Sequence, residues 1–168
     1  EAQHPANCTI YGFDIDKKAV SIAKENAYNA GFASLVNFEV KDFSSFTEEE
    51  ASSLSASARP FIVTDPPYGV RLSEKEARSV WEQLGRKAVE VFGGWCISVI
   101  CPDPTLLGYM EMKPERTNSL MNGGLECQLA HYYVFSREER QALLDKARAK
   151  REERLSAPLS PGAQMAAN

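Results

Sequence analysis

Several architectures are excluded by what this chain lacks. Its four cysteines, Cys8, Cys96, Cys101 and Cys127, form no Cys-x-x-Cys pair, and neither of its two histidines stands at metal-ligand spacing from them. A zinc ribbon, a redox dithiol and a disulfide scaffold are therefore without their defining residues. Cys96 and Cys101 lie in or beside an apolar run, where cysteine acts as a small buried hydrophobe. All four are expected to be free thiols, and no metal is expected. No apolar run approaches the roughly 20 residues of a membrane span, and the first residues carry no signal-peptide pattern. The expectation is a cytoplasmic protein with no membrane partner. Basic charge is also short: 19 Lys and Arg against 23 Asp and Glu give a formal net charge of −4. Gripping a long nucleic-acid backbone unaided needs a basic face. If the substrate is a polynucleotide, most phosphate contacts belong elsewhere.

What is present is ordinary for a globular domain, with 168 residues, 43% of them hydrophobic and 25% charged. That is enough chain for one sizeable core. Thr9-Ile10-Tyr11-Gly12-Phe13 reads as a strand ending in Asp14-Ile15-Asp16. An amphipathic helix follows from Lys17 to Ala30, with Val20, Ala23, Ala27 and Ala30 on one face, Asp16 as N-cap and Gly31 at the C-terminal end. Leu35 to Val40 is a second strand, again followed by an acid, Asp42, and then by Phe43. A carboxylate at the end of such a strand can accept both ribose hydroxyls of a bound nucleoside. Asp14 is the better placed for that role and Asp16 for capping, while Asp42 could accept from an adenine amine with Phe43 packed beside the ring.

The stretch from Arg59 to Leu72 organises the rest. Phe61-Ile62-Val63 is a short β-branched run of the kind buried on both faces of a parallel sheet, and it stops at Asp65-Pro66-Pro67-Tyr68-Gly69. Two prolines cannot donate to a sheet ladder, and each restricts the residue before it, so the backbone leaves the sheet extended and stiff. Asp65 and Tyr68 are thereby fixed at the carboxyl end of a strand. A planar heterocycle with an exocyclic amine could stack on Tyr68 and give its amine hydrogens to Asp65 and the Pro66 carbonyl. The bland alternative is a loop in which Asp65 caps a helix and the prolines only end a strand.

Ser73 to Phe92 reads as a helix with a Ser73–Glu76 capping box and an apolar stripe of Ala77, Val80, Trp81, Leu84, Ala88 and Val91; Thr47 and Glu50 suggest a second box on a shorter helix. Trp95 to Cys101 is a further buried strand, followed by a short helix near Thr105 to Met110. Strand and helix alternating at this spacing imply crossovers and a mainly parallel sheet. Met121-Asn122-Gly123-Gly124 is a turn signal between two strands, hence an antiparallel hairpin at the edge. Ser136 to about Leu155 is a charged helix on which Lys146, Arg148, Lys150, Arg151 and Arg154 either contact RNA phosphates or form a solvated face. Glu1 to Asn7 has the look of the end of a preceding helix, and the last dozen residues of a frayed tail.

Strand–acid, strand–acid, strand–Asp-Pro-Pro-Tyr, strand and a terminal hairpin together resemble the class I S-adenosylmethionine-dependent methyltransferases that act on amines. Tyr11 to Asp16, Phe38 to Asp42, Asp65 to Leu72, Leu84-Gly85-Arg86, Phe92 to Trp95 and Asn122 to Gln128 are similar to the THUMP-associated guanine-N2-methyltransferases of large-subunit ribosomal RNA. The resemblance spans residues 1 to about 136. It implies a Rossmann-like α/β sheet, S-adenosylmethionine as cofactor and RNA as partner, with a THUMP-type domain outside this chain making most backbone contacts. It implies cofactor binding by Asp14, Asp16, Asp42, Phe43 and Asp65, catalysis by Asp65, Pro66 and Tyr68, and substrate contacts from Pro67, Tyr68, Gly69 and Arg71. It divides the chain into a partial catalytic domain (1–136), a charged helix (137–155) and a flexible tail (156–168).

The chain departs from the pattern twice. Asp65 stands where the ribosomal enzymes usually have Asn, although Asp occurs in related transfer-RNA enzymes. The Gly-rich first strand that should precede Tyr11 is missing, so the chain is expected to be a fragment that is inactive alone. Methylation of transfer-RNA guanine, DNA adenine or protein glutamine, and a non-catalytic binding module, remain as alternatives.

Overall fold

A computed structural model describes residues 9–55, 60–68 and 72–156. The expectations for Glu1 to Asn7 and for the tail after Ser156 lie outside the described residues. The chain clusters into two compact units, Glu1–Val134 and Phe135–Asn168. Among the described residues, the first holds six strands: β1 (Ile10–Asp14), β2 (Val36–Val40), β3 (Phe61–Thr64), β4 (Cys96–Cys101), β5 (Arg116–Asn122) and β6 (Leu125–Tyr133). Four helices lie between them: α1 (Lys17–Asn29), α2 (Glu48–Leu54), α3 (Glu74–Val91) and α4 (Pro104–Gly108). The second unit holds α5 (Arg137–Ser156), which has no buried residue.

The helix ends follow from capping chemistry. Asp16 accepts from the Lys18 amide at 2.7 Å and starts α1. α1 closes in a Schellman motif, the Phe32 amide donating to the Ala27 carbonyl and that of Gly31, at φ 78°, to Tyr28. Complete capping boxes, Thr47 with Glu50 and Ser73 with Glu76, start α2 and α3. The Glu50 and Glu76 carboxyls are held below the usual range: Lys41 followed by the Thr47 amide lowers Glu50, and the Ser73 hydroxyl followed by its amide lowers Glu76.

The strands form two ladders sets. β1 and β2 pair in parallel, from Ile10 opposite Val36 to Asp14 opposite Val40. The other four run in the order β3-β4-β6-β5, with β3–β4 parallel and both β4–β6 and β6–β5 antiparallel. The sheet is therefore mixed rather than mainly parallel, because the terminal hairpin contributes as many ladders as the crossovers do. α3 lays Ala77, Trp81, Leu84 and Ala88 on Ile97, Val99 and Cys101 of β4 and on Ala130 and Tyr132 of β6. Each large side chain buried there contributes about 1.5–3 kcal/mol. A second cluster joins the two ladder sets: Phe13 of β1 meets Phe46 edge-on at 5.0 Å, and Phe92 after α3 stacks on Phe43 at 5.3 Å and meets Trp95 at the same distance.

β3 corrects the expectation of a strand buried on both faces. Ile62 packs on the core, but Phe61 and Val63 on the opposite face are 56% and 62% exposed. Only the α3 side of β3 is covered. Its edge away from β4, and the edge of β1 away from β2, pair with no strand among the described residues and border a groove of about 620 Å³ lined by residues 9–13 and 60–64, with Phe43, Phe46, Phe92 and Trp95 among its other walls.

Candidate functional site

Three acids stand at the carboxyl ends of parallel strands: Asp14 closes β1, Asp42 lies just beyond β2, and Asp65 follows β3. That end of an α/β sheet is where ligands bind. Asp14 Oδ1 accepts from the Asp16 amide at 2.8 Å, and Asp42 Oδ1 from the Ser44 amide at 2.8 Å. Each carboxylate is thus oriented through one oxygen, and its second oxygen has no hydrogen-bond partner among the described residues. The Lys41 amide donates to the Asp14 carbonyl at 2.9 Å, tying the two strand ends together. Lys41 also pairs with Glu50 at 2.6 Å and lies 4.7 Å over the Phe46 ring, which braces the turn that carries Asp42.

The diproline corner is held from behind. Trp81, fully buried in α3, donates from Nε1 to the Pro67 carbonyl at 3.4 Å. Pro66 is buried, Asp65 and Pro67 are exposed, and Tyr68 is half-buried against the α3 core. Below this corner, burial pushes the Cys101 thiol up to about 11, with its bond to the Asp103 carbonyl opposing and the nearby Asp103, Cys127 and Asp65 adding smaller upward pushes.

The loops after β2 and β3 converge. A pocket of about 140 Å³ is lined by Asp42, Phe43 and Ser44 on one side, Thr64, Pro66 and Pro67 on another, and Val80, Gln83 and Leu84 of α3 beneath. A site for a whole small ligand runs to roughly 300–1,000 Å³, so this pocket accommodates one end of such a molecule, against an aromatic ring, a carboxylate and the diproline wall. It gathers Asp42, Phe43, Pro66 and Pro67. Asp65 and Tyr68 meet instead through Asn122, whose amide nitrogen lies 3.3 Å from Asp65 Oδ2 and 3.5 Å from Tyr68 Oη. Asp14 stands at the end of β1 outside this pocket, and Asp16 caps α1. Gly69 and Arg71 lie outside the described residues. Among the described residues no group of three or more His, Cys, Asp or Glu is placed to hold a metal ion, and no helix is long and apolar enough to cross a membrane.

Val80, Gln83 and Asn122 were not among the residues expected at the site. Val80 belongs to the apolar stripe of α3 and Gln83 stands beside it, a pattern that signals packing and gives no hint of a pocket. Asn122 reads in sequence as turn chemistry.

A mixed α/β sheet with acids at its parallel strand ends and a stiff proline corner beside a pocket defines the class: this is a methyltransferase-like α/β fold. Among solved structures it is similar to a possible methylase from Clostridium difficile 630, with a TM-score of 0.65 and 28% identity over 79% of this chain and 33% of that one. It is also similar to SMU.472 complexed with SAH, with a TM-score of 0.64 and 23% identity over 76% of this chain and 32% of that one. Residues 1–131 match the RMKL-like methyltransferase domain, UPF0020, and the chain belongs to that family. Among curated relatives it is 35% identical over 133 residues to the ribosomal RNA large subunit methyltransferase K/L of Shewanella baltica (strain OS185). The match covers 79% of this chain and 18% of that relative, so the chain spans under a fifth of the length of the protein it resembles.

Proposed function

We propose that this chain is the catalytic sheet of an enzyme that methylates the exocyclic N2 of a guanine in large-subunit ribosomal RNA. The observation that carries the reading is the convergence of the Asp42–Phe43 turn and the Pro66–Pro67 corner on one pocket, with Asp65 and Tyr68 held together at the corner's outer side. S-adenosylmethionine is the cofactor; when bound, it supplies a sulfonium-borne methyl group for direct in-line displacement. Asp14 accepts from its ribose, Asp42 from its adenine amine, and Phe43 packs against the adenine ring. Asp16 orders this end of β1 by starting α1.

The corner does the rest. Conjugation into the ring makes a guanine amine a poor nucleophile, so holding it and favouring its tetrahedral form lowers the barrier. The Tyr68 ring stacks on a guanine drawn out of its helix. Asp65 and the Pro66 carbonyl accept the amine hydrogens, and Asp65 takes the proton that the nitrogen releases. Pro67, Gly69 and Arg71 contact the RNA substrate. With a net charge of −4, most backbone contacts come from a THUMP-type domain outside this chain, and the enzyme works in the cytoplasm.

We further read the groove between β1 and β3 as the seat of an additional strand with a Gly-rich loop. Two strand edges that are unpaired among the described residues and face one apolar slot favour it. Without that strand the chain binds cofactor poorly and is inactive. Hydrogen exchange tests this part: in the naturally expressed protein that contains this sequence, the β1 and β3 amides facing the slot exchange slowly, whereas fast exchange at both edges refutes it.

The activity is tested by transfer of labelled methyl from S-adenosylmethionine to large-subunit RNA, transfer RNA, DNA and a glutamine-bearing release factor, using that same protein and its Asp65→Ala variant. Labelling of the ribosomal RNA at guanine N2, strongly slowed but still measurable in the variant, is expected. Labelling of a different substrate class, or an unimpaired variant, refutes the assignment.

A further inference from the structure

Asn122 is the last residue of β5, and its surroundings give no local reason for an asparagine. The two-residue turn that follows is made by Gly123 and Gly124, at φ 55° and 89°, so the left-handed positions that often call for asparagine are already taken by glycine. Asn122 itself pairs with Leu125 in the flanking ladder, where asparagine is a poor strand former. A local rule broken in this way points to a tertiary or functional demand. Here the demand is visible. The amide reaches across 57 residues of chain to Asp65 Oδ2 at 3.3 Å and across 54 to the Tyr68 hydroxyl at 3.5 Å.

We infer that Asn122 is a positioning residue for methyl transfer, acting through Asp65 and Tyr68. This rests on the function proposed above for those two residues. A carboxylate has no donor, so it is the amide nitrogen that must face Asp65. That bond engages Oδ2 and leaves Oδ1 for the incoming amine. The second contact restrains the Tyr68 hydroxyl and with it the ring on which the base stacks. Both bonds are long, as is common for site hydrogen bonds before a substrate arrives. The tight Gly-Gly hairpin fixes where the amide is presented, so the corner is held by Trp81 from the core side and by Asn122 from the hairpin side.

The experiment uses the naturally expressed protein, with large-subunit RNA from a strain lacking the gene and labelled S-adenosylmethionine. Asn122→Ala and the isosteric Asn122→Asp are compared with Asp65→Ala, Tyr68→Phe and the Asp65→Ala/Asn122→Ala double variant. Both Asn122 variants are expected to melt as the parent does and to lose about 10- to 100-fold in kcat, the scale of a misplaced reacting group, with KM for either substrate little changed. Asn122→Asp keeps size and hairpin geometry but faces Asp65 with a second carboxylate, so Asn122→Ala, which adds no charge, must show the loss as well. Because Asn122 also holds Tyr68, the double variant is expected to be slower than Asp65→Ala alone, but by less than the loss that Asn122→Ala causes in the parent. The inference is overturned if either single Asn122 variant keeps kcat within twofold of the parent, or if the two losses multiply in the double variant. If Asp65→Ala is itself fully active, the reading of the corner fails and this inference with it. If only the Asn122 variants are unaffected, that reading stands and this one falls.

Discussion

Gly85 sits inside α3, where alanine would ordinarily stabilise the helix by about 1 kcal/mol. Here the opposite is expected. A Cβ built at Gly85 would lie 2.0 Å from the Met110 carbonyl oxygen and within 2.7 Å of the Met110 carbonyl carbon and Cα. These are backbone atoms, and Met110 is itself 1% exposed, so no flexible side chain can move aside. Glu111, which follows it at φ 52°, already turns the chain through the left-handed region and leaves little freedom to retreat. Opening the contact past 3.0 Å means moving α3 away from α4 or deforming the turn after α4. Overpacking of this kind costs about 1–3 kcal/mol, and with backbone on the far side the upper end applies. Set against the propensity gain, Gly85→Ala should lose about 2 kcal/mol, read as a fall of about 4–8 °C in Tm and a lower urea midpoint with an unchanged m value. Gly108→Ala is the control, since a Cβ there meets nothing within 4 Å; it should be neutral or stabilising. A Gly85→Ala protein as stable as its parent refutes the close approach of α3 to Met110.

Trp81→Phe keeps a ring in the core but removes the donor to the Pro67 carbonyl; thermal and methyl-transfer measurements should show about 1–2 kcal/mol less stability and weaker transfer. Tyr132→Phe should be neutral or stabilising by chemical denaturation, because the Tyr132 hydroxyl is buried with no partner among the described residues. Burial raises the Cys101 thiol from 9.0 to about 11 and the Tyr132 phenol from 10.0 to about 12. The unfolded chain therefore loses these protons first, and stability should fall as pH rises above 9; urea midpoints that stay level between pH 8 and 11 count against this. Glu50, depressed first by Lys41 and then by the Thr47 amide, and Glu76, depressed by its capping box, work at the other end: their contribution is present above 4.5 and lost as pH falls through their lower folded values. A charged maleimide should leave native Cys101 and Cys127 unlabelled, since they are 0% and 1% exposed.

Much of this fold was legible because its signals are local. The capping boxes at Thr47 and Ser73, the Gly31 terminus of α1, the apolar stripe of α3 and the Gly-Gly hairpin each depend on residues a few positions apart, and each is present. The burial of β3 was not legible, because it depends on what covers the strand rather than on the strand. Phe61-Ile62-Val63 is the same apolar run whether one face is covered or two. Only the three-dimensional arrangement shows that Phe61 and Val63 look away from α3, towards a slot between β1 and β3.

The site divides along the same line. Asp42 and the diproline corner stand out in sequence because a strand that ends in an acid, or in Asp-Pro-Pro-Tyr, needs no partner to be recognised. Gln83 has no such mark, and Asn122 is marked only as part of a hairpin segment. Gln83 is a polar residue beside a packing stripe until the Asp42 turn closes over it, and Asn122 is a turn residue until a chain segment more than fifty positions away comes within 3.5 Å. What sequence leaves hidden here is the support of the corner rather than the corner itself. A stiff loop still needs anchors, and these are recruited from wherever the topology brings a donor: the β4–β6–β5 ladders place the tip of the hairpin over Asp65, and α3 places Trp81 beneath Pro67. Substitutions at these anchors should therefore disturb chemistry out of proportion to their effect on folding, and this separates them from core positions such as Gly85.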